Sequence, residues 1–561
     1  MSFFDDASLA FLPSGAAGKD GKAYSIKPTD GTGDFAFSRG SNLAATRVGP
    51  TGLIEKGREN LLLQSNTFSD AYWIGTNPPT LTANQQGYDG TNDAWLLTKD
   101  IVTNYQGSKA EGLSFGGVNT FSFYAKSGDT DFVMVELAPL GARWFDLRDG
   151  SSPTGFGAGF LSYSSVDVGN GWFRYFITTE GGTINAIRIY VMATSGTTTT
   201  AGSFYLQDAQ LEIGLAATDV ISTGATTGKA GLLEDEPRFD YSGGATCPSL
   251  LLEPSRTNVI TQSEYFGGSD WTKQTGITIT DNTTDTLSPE GVYNAAKVVS
   301  TDPSRGFYIG GNSLTDALVR TIYLKGAVGG ETAILKDPSG FGGTTSITLT
   351  TDWQRFEHKT TNTGDTYQGL FVDNISVGTI YAYGAQLEAG SYRTSYIPNH
   401  SGGSVTRGAD DIDKLTGVGV TGDEFTIFLE LDLSDTPLVS NVGTYFQTFD
   451  ASNNSQQEFR FFTSNGEQVL VPYFRQDGAY SFGNGGNAVR FDGKILFRSD
   501  GGGNYAMFFG FNGSSTKEVR TGLTAYTLNK IDFISQPKTN LKQLLIFNEA
   551  LSDADCTTLT T

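Results

Sequence analysis

A chain of 561 residues exceeds what one hydrophobic core supports and divides into roughly three or four domains. Its 60 acidic against 38 basic residues give a formal charge of −22, which excludes a broad basic face for nucleic acid or an anionic membrane surface. The 71 glycines, 38 Phe and 24 Tyr suit short strands joined by tight turns, and no stretch sustains the apolar spacing of a long helix.

The two cysteines, Cys247 and Cys556, fall in different segments, which excludes a disulfide framework and a thiolate zinc cluster. The two histidines, His358 and His400, are also far apart and read as structural. No apolar run approaches the length of a membrane span, so no membrane insertion is expected. The start, Met1 to Asp6, has neither the basic nor the apolar region of a signal peptide. The expectation is a protein assembled in a host cytoplasm and released within a particle.

Residues 1–58 come first. Stretches such as Gly15–Gly21 are too polar and glycine-rich to form a core alone, so this segment is expected to order on a partner as an attachment segment. An internal repeat then organises the chain. Glu55, Arg58, Asn60, Gln64, Ser65, Phe68 and Trp73 recur, 198 positions on, as Glu253, Arg256, Asn258, Gln262, Ser263, Phe266 and Trp271. With gaps, Tyr124-Ala125-Lys126 matches Tyr323-Leu324-Lys325, and Trp172 matches Trp353. Ala209-Gln210-Leu211-Glu212 matches Ala385-Gln386-Leu387-Glu388.

Each copy reads as about eight alternating strands, so residues 59–214 and 257–398 are predicted to be two jelly-roll sandwiches of one fold. The four tryptophans are assigned to core or sheet-edge positions. The Gln-Leu-Glu pairs are expected to close the last strand on the first, with Leu211 and Leu387 inward and the glutamates as hydrogen-bond acceptors. Residues 215–256 read as a connector with a docked extended segment at Pro237–Tyr241, and residues 399–422 as a linker.

The final domain, 423–561, opens on a strand with Phe425, Ile427, Leu429, Leu431 and Leu433 on one face. It closes with an apolar strand and Phe547-Asn548-Glu549-Ala550-Leu551-Ser552-Asp553-Ala554-Asp555. That closing segment resembles those of concanavalin A-like and laminin G-like sandwiches. The fold class is therefore all-β: tandem jelly-roll β-sandwiches plus a C-terminal concanavalin A-like sandwich.

Glu430-Leu431-Asp432-Leu433-Ser434-Asp435 resembles the acidic signature of laminarinase-type glucanases. There, paired carboxylates on one strand face act as nucleophile and acid/base. The last acid is shortened to Asp435 and, on an unbroken strand, points away from Asp432. No catalytic residue is therefore assigned, and a non-enzyme is expected. Two loops mix aromatic rings with short polar side chains and are candidate glycan sites. They are Gly478–Asn484, with Tyr480, Phe482 and Asn484, and Gly501–Tyr505, with Asn504 and Tyr505. No cofactor is expected. Asp450 with Asn453 and Asn454 offers calcium-type oxygen ligands, but a turn is the simpler reading.

Three landmarks carry a wider resemblance: Asp34-Phe35-Ala36-Phe37-Ser38-Arg39-Gly40-Ser41; Pro237-Arg238-Phe239-Asp240-Tyr241 through Leu252-Glu253-Pro254; and Ser395-Tyr396-Ile397-Pro398 with Thr406-Arg407-Gly408-Ala409-Asp410. In this order they resemble bacteriophage virion proteins of the head-fibre and tail-fibre type. The resemblance implies a structural virion component that presents weak glycan-binding modules to a host surface. It also implies other virion proteins as partners through the N-terminal segment, and cyclic symmetry suggests a homotrimer. Two alternatives stay open: a polysaccharide hydrolase with two carbohydrate-binding modules, and a bacterial surface adhesin.

Overall fold

The computed structural model describes the chain except residues 1, 16–17, 20, 41–42, 101–104, 193–200, 313, 315, 361–366, 417, 433–443, 453–454, 465–466, 477–478, 483–488, 491 and 534–537. For residues 19, 413–416, 444–445, 455–464, 467–476, 479–482 and 489–490 only the backbone is described. Among the described residues the α-helical segments are Phe3–Asp6 and Asp553–Thr560, single 3-10 turns lie at Ala71–Trp73 and Ser242–Gly244, and the rest of the regular structure is β.

The two repeat copies are jelly-roll sandwiches of one topology. In the first, one sheet runs Phe160–Gly169, Trp172–Thr179, Asn119–Ser127, Gly202–Ile213, Ala94–Lys99, Thr80–Gln85. The second copy repeats that order from its second strand onward. It runs Gln354–Thr360, Leu318–Gly326, Gly378–Ala389, Ala296–Ser300, Ile277–Thr280. The facing sheets also correspond. Gly107–Gly116, Thr183–Met192, Phe132–Ala138, Gly141–Asp146 matches Phe307–Asn312, Gln368–Asp373, Thr332–Lys336, Thr344–Thr348. Even an irregularity is shared. The long closing strand bulges at Asp208 in one copy and at Gly384 in the other, both at positive φ.

The repeated residues explain the shared topology. The Asn60 carboxamide accepts from Leu62 N and Leu211 N and donates to the carbonyls of Ala209 and Ile221. Asn258 does the same with Ile260, Leu387, Ala385 and Ile397. Each asparagine thus sutures the entering chain to the closing strand and satisfies backbone groups that no ladder reaches. The indole N–H of Trp73 and of Trp271 donates to the carbonyl of Gln64 and of Gln262, 2.9 Å in both. Leu211 and Leu387 lie inward with no exposure. The Glu212 carboxylate accepts from Gln210 and from the amide and hydroxyl of Thr218, and Glu388 accepts in the same way from Gln386 and Thr394. Trp172 is buried, whereas Trp353 is half-buried at a sheet edge with its N–H on the Leu287 carbonyl.

The third sandwich departs from the linear partition. Its strand Thr539–Phe547 pairs with Glu424–Asp432 on one side. On the other it pairs with Leu9–Phe11 from the N-terminus and with Ser249–Leu252 from the connector. In the opposite sheet Phe35–Ser38 pairs with Asp411–Thr416. Leu9, Phe11, Phe35, Phe37, Leu250 and Leu252 share one buried core with Phe425, Ile427, Leu429 and Leu431. Parts of the segment 1–58, of the connector and of the linker therefore pair into the C-terminal sandwich, and Leu9–Phe11 and Phe35–Ser38 order on this same chain. The apolar alternation of Leu9-Ala10-Phe11 and Phe35-Ala36-Phe37 is what drives them there.

A buried ionic cluster joins these parts. Arg238 donates to Glu253, Asp410, Ser395 and the Thr46 carbonyl. Arg407 donates to Glu253 and Ser395, and Arg39 to Asp410 and the Leu233 and Glu236 carbonyls. The five charged side chains are at most 1% exposed. Burial opposes ionisation of Glu253, but Arg407 and Arg238 outweigh it and hold the carboxyl far below its ordinary range. These residues are the landmark motifs of the sequence. Their role is to tie the N-terminus, the connector, the second jelly roll and the last linker at one point.

Candidate functional site

The strands of the first jelly roll's smaller sheet carry apolar residues on both faces, which is unusual for a sheet with one face in a core. Val133, Val135 and Leu137 point inward, as do Ile187, Ile189 and Val191. The two-residue period then puts Phe132, Met134 and Glu136 on the outer face, with Arg188, Tyr190 and Met192 beside them. Trp144 stands opposite Met134, and Phe156 opposite Ala142.

The outer face is a second apolar layer with a charged margin, and its middle is covered: Met134, Trp144, Tyr190 and Met192 are 0–7% exposed. Trp144 and Phe156 lie 5.9 Å apart between ring centroids, and Tyr105 and Tyr190 5.2 Å. Tyr105 is 46% exposed and Phe156 55%, so rings at both ends are open to solvent. Arg188 forks onto Glu111 at 2.8 and 2.9 Å and reaches Glu136 at 3.1 Å. The Lys109 ammonium sits 5.4 Å over the Tyr190 ring. Burial lowers the Lys109 pKa, the Arg188 hydrogen bonds lower that of Glu111, and burial followed by Glu136 raises that of Tyr190. The buried indole N–H of Trp144 has no hydrogen-bond acceptor among the described residues.

The second jelly roll has a smaller version on the matching sheet. Tyr308 and Phe371 lie 5.0 Å apart, Lys336 stands 4.8 Å over Phe371 and pairs with Asp373 at 2.6 Å, and Tyr367 is 48% exposed. A ring capped by lysine beside a carboxylate is thus common to both copies. None of these residues belongs to the repeated motifs seen in sequence.

The residues singled out in sequence are placed elsewhere. Tyr505 is a correction. It is 1% exposed, its ring lies 5.8 Å from Phe497 in the core of the third sandwich, and its hydroxyl donates to the Thr524 carbonyl. The glycine turn ends just before it, and Tyr505 opens a strand at an inward position. Asn504 is held in that turn by Asp500, at 3.1 Å through its amide and 2.8 Å through its side chain. Tyr480 and Phe482 belong to a strand, Ala479–Phe482, rather than a loop, because this β-prone run pairs with Glu467–Gln476. Asn484 lies outside the described residues, as do Asn453 and Asn454, while Asp450 accepts from Ser452 N in a turn.

Glu430 and Asp432 share the strand Glu424–Asp432, where Asp432 lies 3.6 Å from Lys542, and Asp435 is outside the described residues. Among the described residues no cluster of three or more His, Cys, Asp or Glu side chains is placed to hold a metal ion. Among the described residues no helix is long and apolar enough to cross a membrane.

Comparison with known proteins leaves the family open. No family profile matches the chain, and no curated protein matches it. Among solved structures, the N-terminal tandem CBM22 domain of Paenibacillus barcinonensis Xyn10C aligns with 63% of this chain and 100% of its own, at 9% identity and a TM-score of 0.19. The arabinofuranosyltransferase AftD from mycobacteria aligns with 93% of this chain and 36% of its own, at 8% identity and a TM-score of 0.12. At those TM-scores neither likeness bears on fold or function.

Proposed function

We propose that this protein is a non-enzymatic glycan-binding component of a bacteriophage particle, a head- or tail-fibre type appendage that adheres weakly to host-surface saccharide. The observation that carries the binding role is the outer face of the first jelly roll. Solvent-open rings at Tyr105 and Phe156 offer stacking surfaces for the apolar faces of sugar rings, and Glu111, Glu136 and Arg188 supply hydroxyl partners. The carboxylates of this face are engaged by Arg188, which suits holding an intact chain rather than cleaving one.

The virion role rests on the ordered landmark motifs of the sequence, and attachment would use other particle proteins. A trimer would multiply weak contacts by avidity, with sedimentation at three times the 59.9 kDa chain mass as its mark. The test of binding is a glycan array probed with the full-length chain and with the double variant Tyr105→Ala, Phe156→Ala. The expected result is a saccharide-restricted signal for the parent, weakened at least tenfold in the variant. Blank arrays, or an unchanged variant, would leave only an architectural role.

A further inference from the structure

The opposite sheet of the first jelly roll carries a recess of about 500 Å³ on its outer face, inside the range of roughly 300–1,000 Å³ that small-molecule sites occupy. A row across three neighbouring strands lines it, with Lys126 beside Tyr205 and Tyr205 beside Leu96. The second copy has the same row in the same register, Lys325 beside Tyr381 and Tyr381 beside Lys297. Lys126 and Lys325 are the lysines that the sequence repeat aligns. The two rows differ in what covers them.

In the second copy the chain itself closes the row. The Lys325 ammonium donates to the Thr286 hydroxyl at 2.9 Å. Lys297 pairs with the Asp285 carboxylate at 2.7 Å, and the Tyr381 hydroxyl donates to the same carboxylate at 3.4 Å. Asp285 and Thr286 lie in the connection from Thr283 to Ala295, three residues longer than its counterpart from Gln85 to Ala94. The first copy has no such cover. Among the described residues the Lys126 ammonium has no ion pair or hydrogen bond, and the Tyr205 hydroxyl has no hydrogen-bond partner. Gln85 turns its amide back onto the Ala83 carbonyl at 2.9 Å, and Leu96 stands where the second copy has Lys297. The exposed Asp129 at the rim accepts from the Ser203 hydroxyl at 2.9 Å. Two donors on half-buried side chains therefore line the recess without acceptors. They favour an occupant that brings acceptors and negative charge.

We propose that this recess binds an acidic sugar unit, a polyhydroxylated carboxylate, whose groups replace those that Asp285 and Thr286 supply within the second copy. The sugar carboxylate accepts from Lys126 and Tyr205, and a ring hydroxyl stands where Thr286 would. Leu96 and the Tyr205 ring meet the apolar face of the sugar. A small anion such as acetate would use the donors but leave most of the recess unfilled. The site lies on the sheet opposite the face that bears Tyr105 and Phe156, so it stands or falls apart from the binding proposed there.

Calorimetry on the full-length protein tests the assignment with methyl glucuronoside, with its neutral counterpart methyl glucoside, and with acetate. The glucuronoside is expected to bind with millimolar or tighter affinity, and the glucoside and acetate each at least tenfold more weakly. Lys126→Gln should lower glucuronoside affinity at least tenfold. Lys325→Gln, at the matching position that the chain closes itself, should leave it within twofold. Tyr205→Phe keeps the ring, removes the donor and should weaken binding at least threefold, with urea unfolding unchanged. No binding of the glucuronoside, equal binding of the glucoside or of acetate, or a loss in Lys126→Gln no greater than in Lys325→Gln would each overturn the proposal.

Discussion

Asp208 carries a burden that its counterpart in the second copy avoids. It sits at φ 51°, where Gly384 sits at φ 61°, and its carboxyl is pushed up to about 6 by burial, then by Asp93. The sign follows from linkage. The unfolded chain ionises this carboxyl near 4 and the folded chain near 6, so stability falls as pH rises through that window and the full penalty persists above it. Asp208→Asn keeps a side chain that tolerates positive φ and removes the charge. It should stabilise the protein by on the order of 1–2 kcal/mol at pH 7.5 and by almost nothing at pH 4, read from urea unfolding at both pH values. Equal effects at both would place the cause in backbone strain.

Single residues are also where sequence reading failed most. Tyr505 follows three glycines and looks like a loop ring, yet one step along the chain turns a solvent position into a core one. The outer face of Phe132-Val133-Met134-Val135 gave no signal, because that run is apolar at every position and shows no wet face. By contrast Asn60 and Asn258 were visible, because an uncommon polar residue recurring at fixed distance from a tryptophan is hard to explain by packing alone.

At the scale of elements, the closing strand of each jelly roll depends on that asparagine. Asn258→Ala would leave two amides and two carbonyls in a buried seam without partners, each worth roughly 1–3 kcal/mol when unsatisfied. We expect a loss of at least about 3 kcal/mol in the second jelly roll, with Thr257→Ala on the exposed rim within about 0.5 kcal/mol, measured by chemical denaturation. A mild Asn258→Ala would mean that the suture is redundant. The strands themselves were legible at this scale wherever polar and apolar residues alternate. The make-up of the third sandwich was not, because its added strands are three or four residues long and arrive from about 290 to more than 500 positions away. Short non-local strands leave no period to detect.

At the scale of the molecule, the chain begins and ends in one sandwich, and the two jelly rolls are excursions from it. Deleting residues 1–40 should therefore do more than remove an attachment point. It strips Leu9, Phe11, Phe35 and Phe37 from the core and Arg39 from the ionic cluster. The expected result is protease sensitivity confined to the third sandwich, with residues 59–214 resistant. A truncated protein with an intact third sandwich would contradict this architecture.

The central claim is that saccharide is held on the outer sheet face of the first jelly roll. Hydroxyl-radical footprinting of the full-length protein, with and without a saccharide that scores on the array, tests it most directly. The account predicts protection of Tyr105, Phe156 and the strand Thr183–Met192, with a weaker footprint at Tyr367. Protection confined to residues 479–505 of the third sandwich, or to no residue of the first jelly roll, would contradict it.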